Sequence, residues 1–119
     1  MANARMQRLV LKPVGADEDD GNARQLVLDL NVDPETRLST GPFPAFGRAG
    51  DFRRPETLYP FTLMMDGRLD LGAHASDAER QDMLAIRAAR METGAQVART
   101  VGGREDMFVI VSVTPLSPD

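Results

Sequence analysis

Large aliphatic residues recur at every second position of residues 26–32, with Val27, Asp29 and Asn31 between them, and this period of two constrains the fold more than any other pattern in the chain. Every second position of the segment carries a branched aliphatic residue: Leu26, Leu28, Leu30 and Val32. Successive side chains of a β-strand point to opposite faces, so this spacing places all four on one face. The segment therefore predicts a strand in a sheet that buries one face.

Other segments also carry strand signals. Residues 7–14 alternate in the same way until Pro13 and Gly15 end the pattern. Residues 59–64 and 68–71 flank a turn, and a three-residue loop closed by Gly67 in the left-handed region would pair Leu63 with Leu69 on one apolar face. These segments predict a strand and a hairpin.

The last hairpin is formed by residues 96–101 and 107–114, for which we predict a five-residue loop at 102–106. Residues 107–113 are apolar on both faces, which indicates a strand that is central in the sheet or covered by a helix.

One helix is predicted. Ser76 and Glu79 have the spacing of a capping box, so a helix should begin at Ser76 and continue to about Arg90. Residues 84–88 also suit a strand that Thr93 and Gly94 would close, so the C-terminal end of this helix stays open. The acidic residues 17–20 are interpreted as a solvated turn.

These elements indicate a β-rich α+β protein. We expect about six mostly antiparallel strands in a small, partly closed barrel or curved sheet, capped by the helix that starts near Ser76. A length of 119 residues predicts a single domain over residues 1–119. Residues 36–57 show no periodicity and are expected to form one long loop, with short flexible termini at the ends of the chain.

Composition excludes several classes of protein. The chain has no cysteine, which removes disulfide frameworks and thiolate chemistry, and we expect no secretory signal and a cytoplasmic location. Its longest apolar run, residues 107–111, is far shorter than the roughly 18 residues that span a bilayer, so no membrane association is expected. The net charge of -4 marks an acidic protein and disfavours nucleic acid as a partner.

Catalytic signals are weak. The single histidine, His74, lies near Asp70 and Asp77, which suggests a small hydrolase or isomerase as one hypothesis. Ser76 is already the expected helix N-cap, and a lone histidine in a loop is more often a surface residue. We therefore assign no catalytic residue, no metal site and no cofactor.

Residues 41–55 carry the strongest functional signal. This segment is rich in Gly and Pro, yet it contains three phenylalanines and three arginines: Phe43, Phe46, Phe52, Arg48, Arg53 and Arg54. If the phenylalanines point inward, the segment covers one end of the sheet. If they stay exposed, these six residues are a partner-binding site, because aromatic and Arg side chains are enriched at interface hot spots.

The hypothesis that follows is a non-enzymatic binding or adaptor module that engages a protein partner, or a second copy as a homodimer, through these six residues. The same residues could stack bases and bind phosphates, so single-stranded nucleic acid is the alternative partner. The acidic net charge makes that alternative weaker.

Overall fold

The computed structural model of the chain describes residues 5–71 and 82–116. Within these ranges it contains nine β-strands, one α-helix and one 3-10 helix. The strands are β1 Arg5–Pro13, β2 Gln25–Val32, β3 Ser39–Thr40, β4 Ala45–Gly50, β5 Tyr59–Leu63, β6 Leu69–Asp70, β7 Asp82–Leu84, β8 Gln96–Val101 and β9 Arg104–Pro115, and the helices are α1 Glu18–Ala23 and the 3-10 helix Pro55–Thr57.

All strand pairings are antiparallel and belong to one sheet, in the order β6-β5-β4-β2-β1-β9-β8-β7, with β3 also paired to β2. The two ends of this order approach each other. Arg68 and Met83 form an isolated bridge, and the N–H of Leu84 donates to the carbonyl oxygen of Gly67 at 2.8 Å. The sheet is thus nearly closed into a barrel, which confirms the predicted β-rich, antiparallel architecture.

The barrel interior is filled by the alternating aliphatic residues of the strands. Leu9 and Leu11 of β1 and the four aliphatic residues of the β2 pattern are almost fully buried. They pack with side chains of β5, β8 and β9 in one apolar cluster. Strand β2 confirms the prediction for residues 26–32, and the register Leu63–Leu69 confirms the predicted loop at 65–67, in which Gly67 has a φ of 96°.

Strand β9 lies between β1 and β8, as expected for a strand that is apolar on both faces. Its register against β1 shifts by one residue between Val10 and Leu11, because Val111 is an extra residue on β9. Phe108 and Ile110 are buried before this bulge, and Val113 packs against the core after it. The bulge therefore changes which alternate positions face inward.

The predicted helix is wrong where the structure describes it. Residues Asp82–Leu84 form β7, residues 85–88 form a turn, and residue 89 is a bend. Asp82 is nearly fully buried and forms two hydrogen bonds with Arg99 of β8, 3.0 Å from Nε to Oδ1 and 2.7 Å from Nη2 to Oδ2. This pair joins β7 to β8 as strands. The proposed start at Ser76, His74 and the two termini lie outside the described residues.

A short helix occurs instead at α1, where a solvated turn was expected. Asp17 is its N-cap, and its carboxylate accepts a hydrogen bond from the N–H of Asp20 at 2.8 Å. An acidic side chain at a helix N-terminus both satisfies a free N–H group and interacts favourably with the helix dipole. The acidic run is therefore helix-forming.

The expected loop at residues 36–57 contains β3, β4 and the 3-10 helix, and these two strands together with β7 raise the strand number from about six to nine. The predicted five-residue loop of the last hairpin is also wrong. Gly102 and Gly103 both have positive φ, at 57° and 85°, and pairing resumes at once with Val101–Arg104. Two consecutive residues with positive φ form the two-residue turn that matches strand twist.

The core depends on a close approach between β4 and β5. Gly47 is in register with Phe61, and a Cβ atom added to Gly47 would lie 2.5 Å from Cζ of Phe61 and 2.7 Å from the carbonyl oxygen of Val27. The Phe61 ring therefore occupies the space that a side chain at position 47 would need. Gly21 of α1 differs, because an added Cβ would lie 3.7 Å from the nearest atom, in Lys12.

We predict opposite effects for the same substitution at these two glycines. Gly47→Ala should lower the free energy of unfolding by about 1–3 kcal/mol, because Phe61 must move. Gly21→Ala should raise it by up to about 1 kcal/mol, because alanine favours a helix and the site has room. Urea denaturation measures both, and equal changes of the same sign would contradict the packing described here.

Candidate functional site

The outward faces of six neighbouring strands present two rows of side chains in register. The first, the Phe46 row, consists of Asp70, Thr62, Phe46, Asp29, Arg8 and Thr114. The second, the Arg48 row, consists of Pro60, Arg48, Val27, Val10 and Ser112. Adjacent strands are about 4.8 Å apart, so successive members of a row are direct cross-strand neighbours.

Phe46 is the apolar centre of these rows. It is 66% exposed, whereas its neighbour Ala45 is buried. The alternation of β4 explains this, because Ala45 and Gly47 face the barrel interior and Phe46 and Arg48 face outward. Cross-strand pairing places Phe46 between Asp29 of β2 and Thr62 of β5.

A groove of about 620 Å³ lies over the two rows and is lined by most of their members. Leu71, the half-buried Gly47 and the buried Phe61 complete its lining. The groove combines an exposed aromatic ring with polar side chains, which is typical of recognition surfaces.

Arg8 and Asp29 form a bidentate ion pair beside Phe46. The guanidinium donates from Nε to Oδ1 at 2.8 Å and from Nη2 to Oδ2 at 3.0 Å. The hydrogen bond and the charge of Asp29 raise the pKa of Arg8. These two charges neutralise each other within the Phe46 row.

Arg48 has no such partner. Its Cζ atom lies 5.8 Å from the ring centroid of Phe52, which is half-buried. No carboxylate of the described residues forms an ion pair with Arg48. The Arg48 row therefore presents a cation that is free to pair with an incoming acid.

Arg53 stabilises the turn after β4. The nearly buried carboxylate of Asp51 accepts three hydrogen bonds from Arg53: from its backbone N–H at 2.9 Å, from Nε at 3.0 Å and from Nη2 at 2.9 Å. Nη1 of Arg53 lies 3.5 Å from Oδ1 of Asp19 in the acidic helix. The hydrogen bonds from Arg53 hold the pKa of Asp51 below its usual value. Arg54 is exposed, and its carbonyl oxygen accepts hydrogen bonds from Thr57.

Phe43 belongs to a different environment. It is half-buried and packs against the core, and Cζ of Arg87 lies 4.4 Å from its ring centroid. Arg87 also donates from Nε to Oγ of Ser39 at 3.0 Å and from Nη1 to the carbonyl oxygen of Met65 at 2.8 Å. These contacts connect β3, the loop before β4 and the β5–β6 turn.

The structure thus distributes the six candidate residues over different environments. Phe46 and Arg48 lie together on the rows, and Phe52 is next to Arg48. Phe43 and Arg53 contact residues that hold the fold together, and Arg54 is on the surface. Arg8 and Asp29 are members of the site that were not among the candidates from the sequence, although Asp29 is a charged residue between two leucines in the alternating pattern.

Of the groups in the catalytic hypothesis, Asp70 lines the groove, and His74 and Asp77 are outside the described residues. In residues 5–71 and 82–116, no three His, Cys, Asp or Glu side chains come together as metal ligands. No helix in the described part of the chain is long and apolar enough to cross a membrane. Comparisons with protein-family models, with curated proteins and with solved structures find no match.

The Asp51–Arg53 contact predicts a pH dependence. The pKa of Asp51 is lower in the folded state than the usual value of about 3.9, so the folded state binds fewer protons in this range. The stability that Asp51 contributes is present above about pH 4 and is lost as the pH falls through its lowered pKa. Between roughly pH 6 and pH 3, wild-type protein should therefore lose more stability than Asp51→Asn.

Urea denaturation at the two pH values measures this difference. Asp20→Asn serves as a comparison, because the hydrogen bond from Arg24 also lowers the pKa of Asp20 but the residue lies outside the turn after β4. An Asp51→Asn variant with the same pH dependence as wild type would show that the Asp51–Arg53 contact does not stabilise the fold.

Proposed function

We propose that this chain is a non-enzymatic binding module that engages a protein partner through the Phe46 row and the Arg48 row. The strongest support is the 66% exposure of the Phe46 side chain on the outer face of the sheet, where β4 lies between β5 and β2. Pairing with β2 and β5 fixes the backbone that carries Phe46 before binding, so no backbone conformational entropy is lost there on association. Exposed aromatic rings beside Arg are typical interface hot spots.

The surroundings of Phe46 have the arrangement of a protein interface. The Arg8–Asp29 pair and the hydroxyl of Thr62 surround the ring with polar groups, and an apolar centre within a polar rim is the usual interface anatomy. Arg48, two positions along β4, would pair with an acidic side chain of the partner, since no described carboxylate occupies it.

The same geometry favours a protein over single-stranded nucleic acid. Phe46 is the one aromatic member of the two rows, whereas single-strand platforms stack successive bases on several rings. Tyr59 is equally exposed, but it is in register with Ala49 and alternates with Pro60 and Thr62, so it does not belong to either row. Asp29 cancels the charge of Arg8, which reduces the summed positive charge that phosphate binding needs.

Phe46→Ala and Arg48→Ala test the proposal. Each should weaken the binding of the partner about tenfold or more, since truncating a hot spot costs roughly 2 kcal/mol. Partners are first captured with wild-type protein from an extract of the source cells. The purified partner is then titrated against each variant by calorimetry. Thermal unfolding verifies that the variants remain folded.

Tyr59→Ala is the matched control, because it removes an equally exposed aromatic ring from outside the rows. The proposal is wrong if Tyr59→Ala weakens binding as much as Phe46→Ala, or if neither row variant changes the affinity. Light scattering measures the mass of the purified chain alone, and a dimer mass would indicate that the partner is a second copy of the chain. Salt-sensitive binding of labelled oligonucleotides that requires Phe46 would favour nucleic acid instead.

A further inference from the structure

A second cavity, of about 370 Å³, opens at the end of the barrel where β1 begins and β2 and β9 end. It is separate from the two rows and independent of the function proposed for them. Its lining includes two arginines, Arg5 and Arg37, and one acid, Glu92. It also includes apolar residues from β2, β9 and the segment between β7 and β8: Val32, Val113 and Met91.

The apolar part of this cavity is continuous with the core. Met91 is fully buried, Val32 is 5% exposed, and Val113 packs against the core cluster. The arginines are exposed and lie on the solvent side. The accessible apolar surface of the cavity therefore comes from Val113, Pro34 and Pro115 and not from Met91 or Val32. Together with the exposed arginines, this surface suits a ligand with one apolar end and one anionic end.

The turn that carries Arg37 is tightly constrained. Arg37 has a φ of 65°, in the left-handed region that residues other than Gly, Asn and Asp seldom adopt. Its N–H donates to the carbonyl oxygen of Asp33 at 2.8 Å, and its own carbonyl oxygen accepts from the N–H of Met91 at 2.7 Å. These bonds fix the backbone of Arg37 beside Met91 at the edge of the cavity before any ligand binds.

The charges at the entrance favour a monoanion. In the described ranges, neither Arg5 nor Arg37 forms an ion pair. Glu92 is within 3.8 Å of Arg90, which is not part of the lining. Two cations and one acid leave a single excess positive charge around the opening, and the guanidinium fork matches the two oxygens of a carboxylate.

We propose that this end cavity binds a small amphipathic monocarboxylate. Arg5 and Arg37 pair with the carboxylate, and the accessible apolar members of the lining, Val113, Pro34 and Pro115, contact the apolar body of the ligand. Since one water-sized group occupies about 30 Å³, the cavity holds roughly a dozen non-hydrogen atoms, which is the size of a short-chain or aromatic monocarboxylate.

Hexanoate is the probe, and calorimetric titration measures its affinity for wild-type protein and variants. Arg37→Asn removes the cation and keeps a residue that tolerates positive φ, so the turn is preserved. We expect at least a tenfold weaker affinity for this variant, which corresponds to the loss of a charge-assisted hydrogen bond. Hexanamide, which has the same shape without the charge, should bind far more weakly than hexanoate.

Arg104→Gln is the control variant, because it removes an exposed positive charge in the hairpin turn after Val101, away from the cavity lining. It should leave hexanoate affinity unchanged. Methyl NMR gives a second readout, and hexanoate should shift the signals of Met91 and Val113. The proposal is overturned if hexanoate does not bind, if Arg37→Asn and Arg104→Gln behave alike, or if hexanamide or inorganic phosphate binds as tightly as hexanoate.

Discussion

The contact between Gly47 and Phe61 determines the register of β4, and this register decides which of its side chains face the core and which face outward. Phe61 fills the space over Gly47 on the core side, and no other residue at position 47 leaves room for the ring. A strand whose register slips by one residue exchanges its two faces. The Gly47–Phe61 contact therefore fixes the register that turns Phe46 and Arg48 outward.

Two arginines hold the segments on either side of β4. Before the strand, Arg87 contacts Ser39 and the ring of Phe43, and after it, Arg53 binds the nearly buried carboxylate of Asp51. The phenylalanines and arginines of residues 41–55 thus have two different roles, although they are close together in the sequence. Phe43 and Arg53 stabilise the ends of the strand, whereas Phe46 and Arg48 remain available at its centre.

The sequence predicted those elements whose signals are local. The alternation of β2 and the turn at Gly67 depend on neighbouring residues and were predicted correctly. Strand β4 escaped detection because its inward positions carry only Ala45, Gly47 and Ala49, whose small side chains hide the period of two. Strand β7 was not predicted because it depends on the buried contact of Asp82 with Arg99, which joins residues far apart in the sequence.

The distinction between local signals and contacts across the sheet also applies to the candidate site. Composition left open whether the phenylalanines of residues 41–55 are buried or exposed, and it could not separate Phe46 from Phe43. That separation depends on pairing with β2 and β5, as does the ion pair between Arg8 and Asp29, which are 21 positions apart. The site therefore emerges from strand register, and the sequence alone does not specify that register.

The ion pairs also explain why an acidic chain presents cations at its surface. Several of its acids are paired within the fold: Asp20 with Arg24, Asp29 with Arg8, Asp51 with Arg53 and Asp82 with Arg99. In the described residues these pairings leave Arg48 on the rows and Arg5 and Arg37 at the end cavity without a carboxylate. The net charge of -4 describes the whole chain, whereas recognition depends on the local charges that remain unpaired. Both proposed binding surfaces can therefore attract anionic groups although the protein as a whole is acidic.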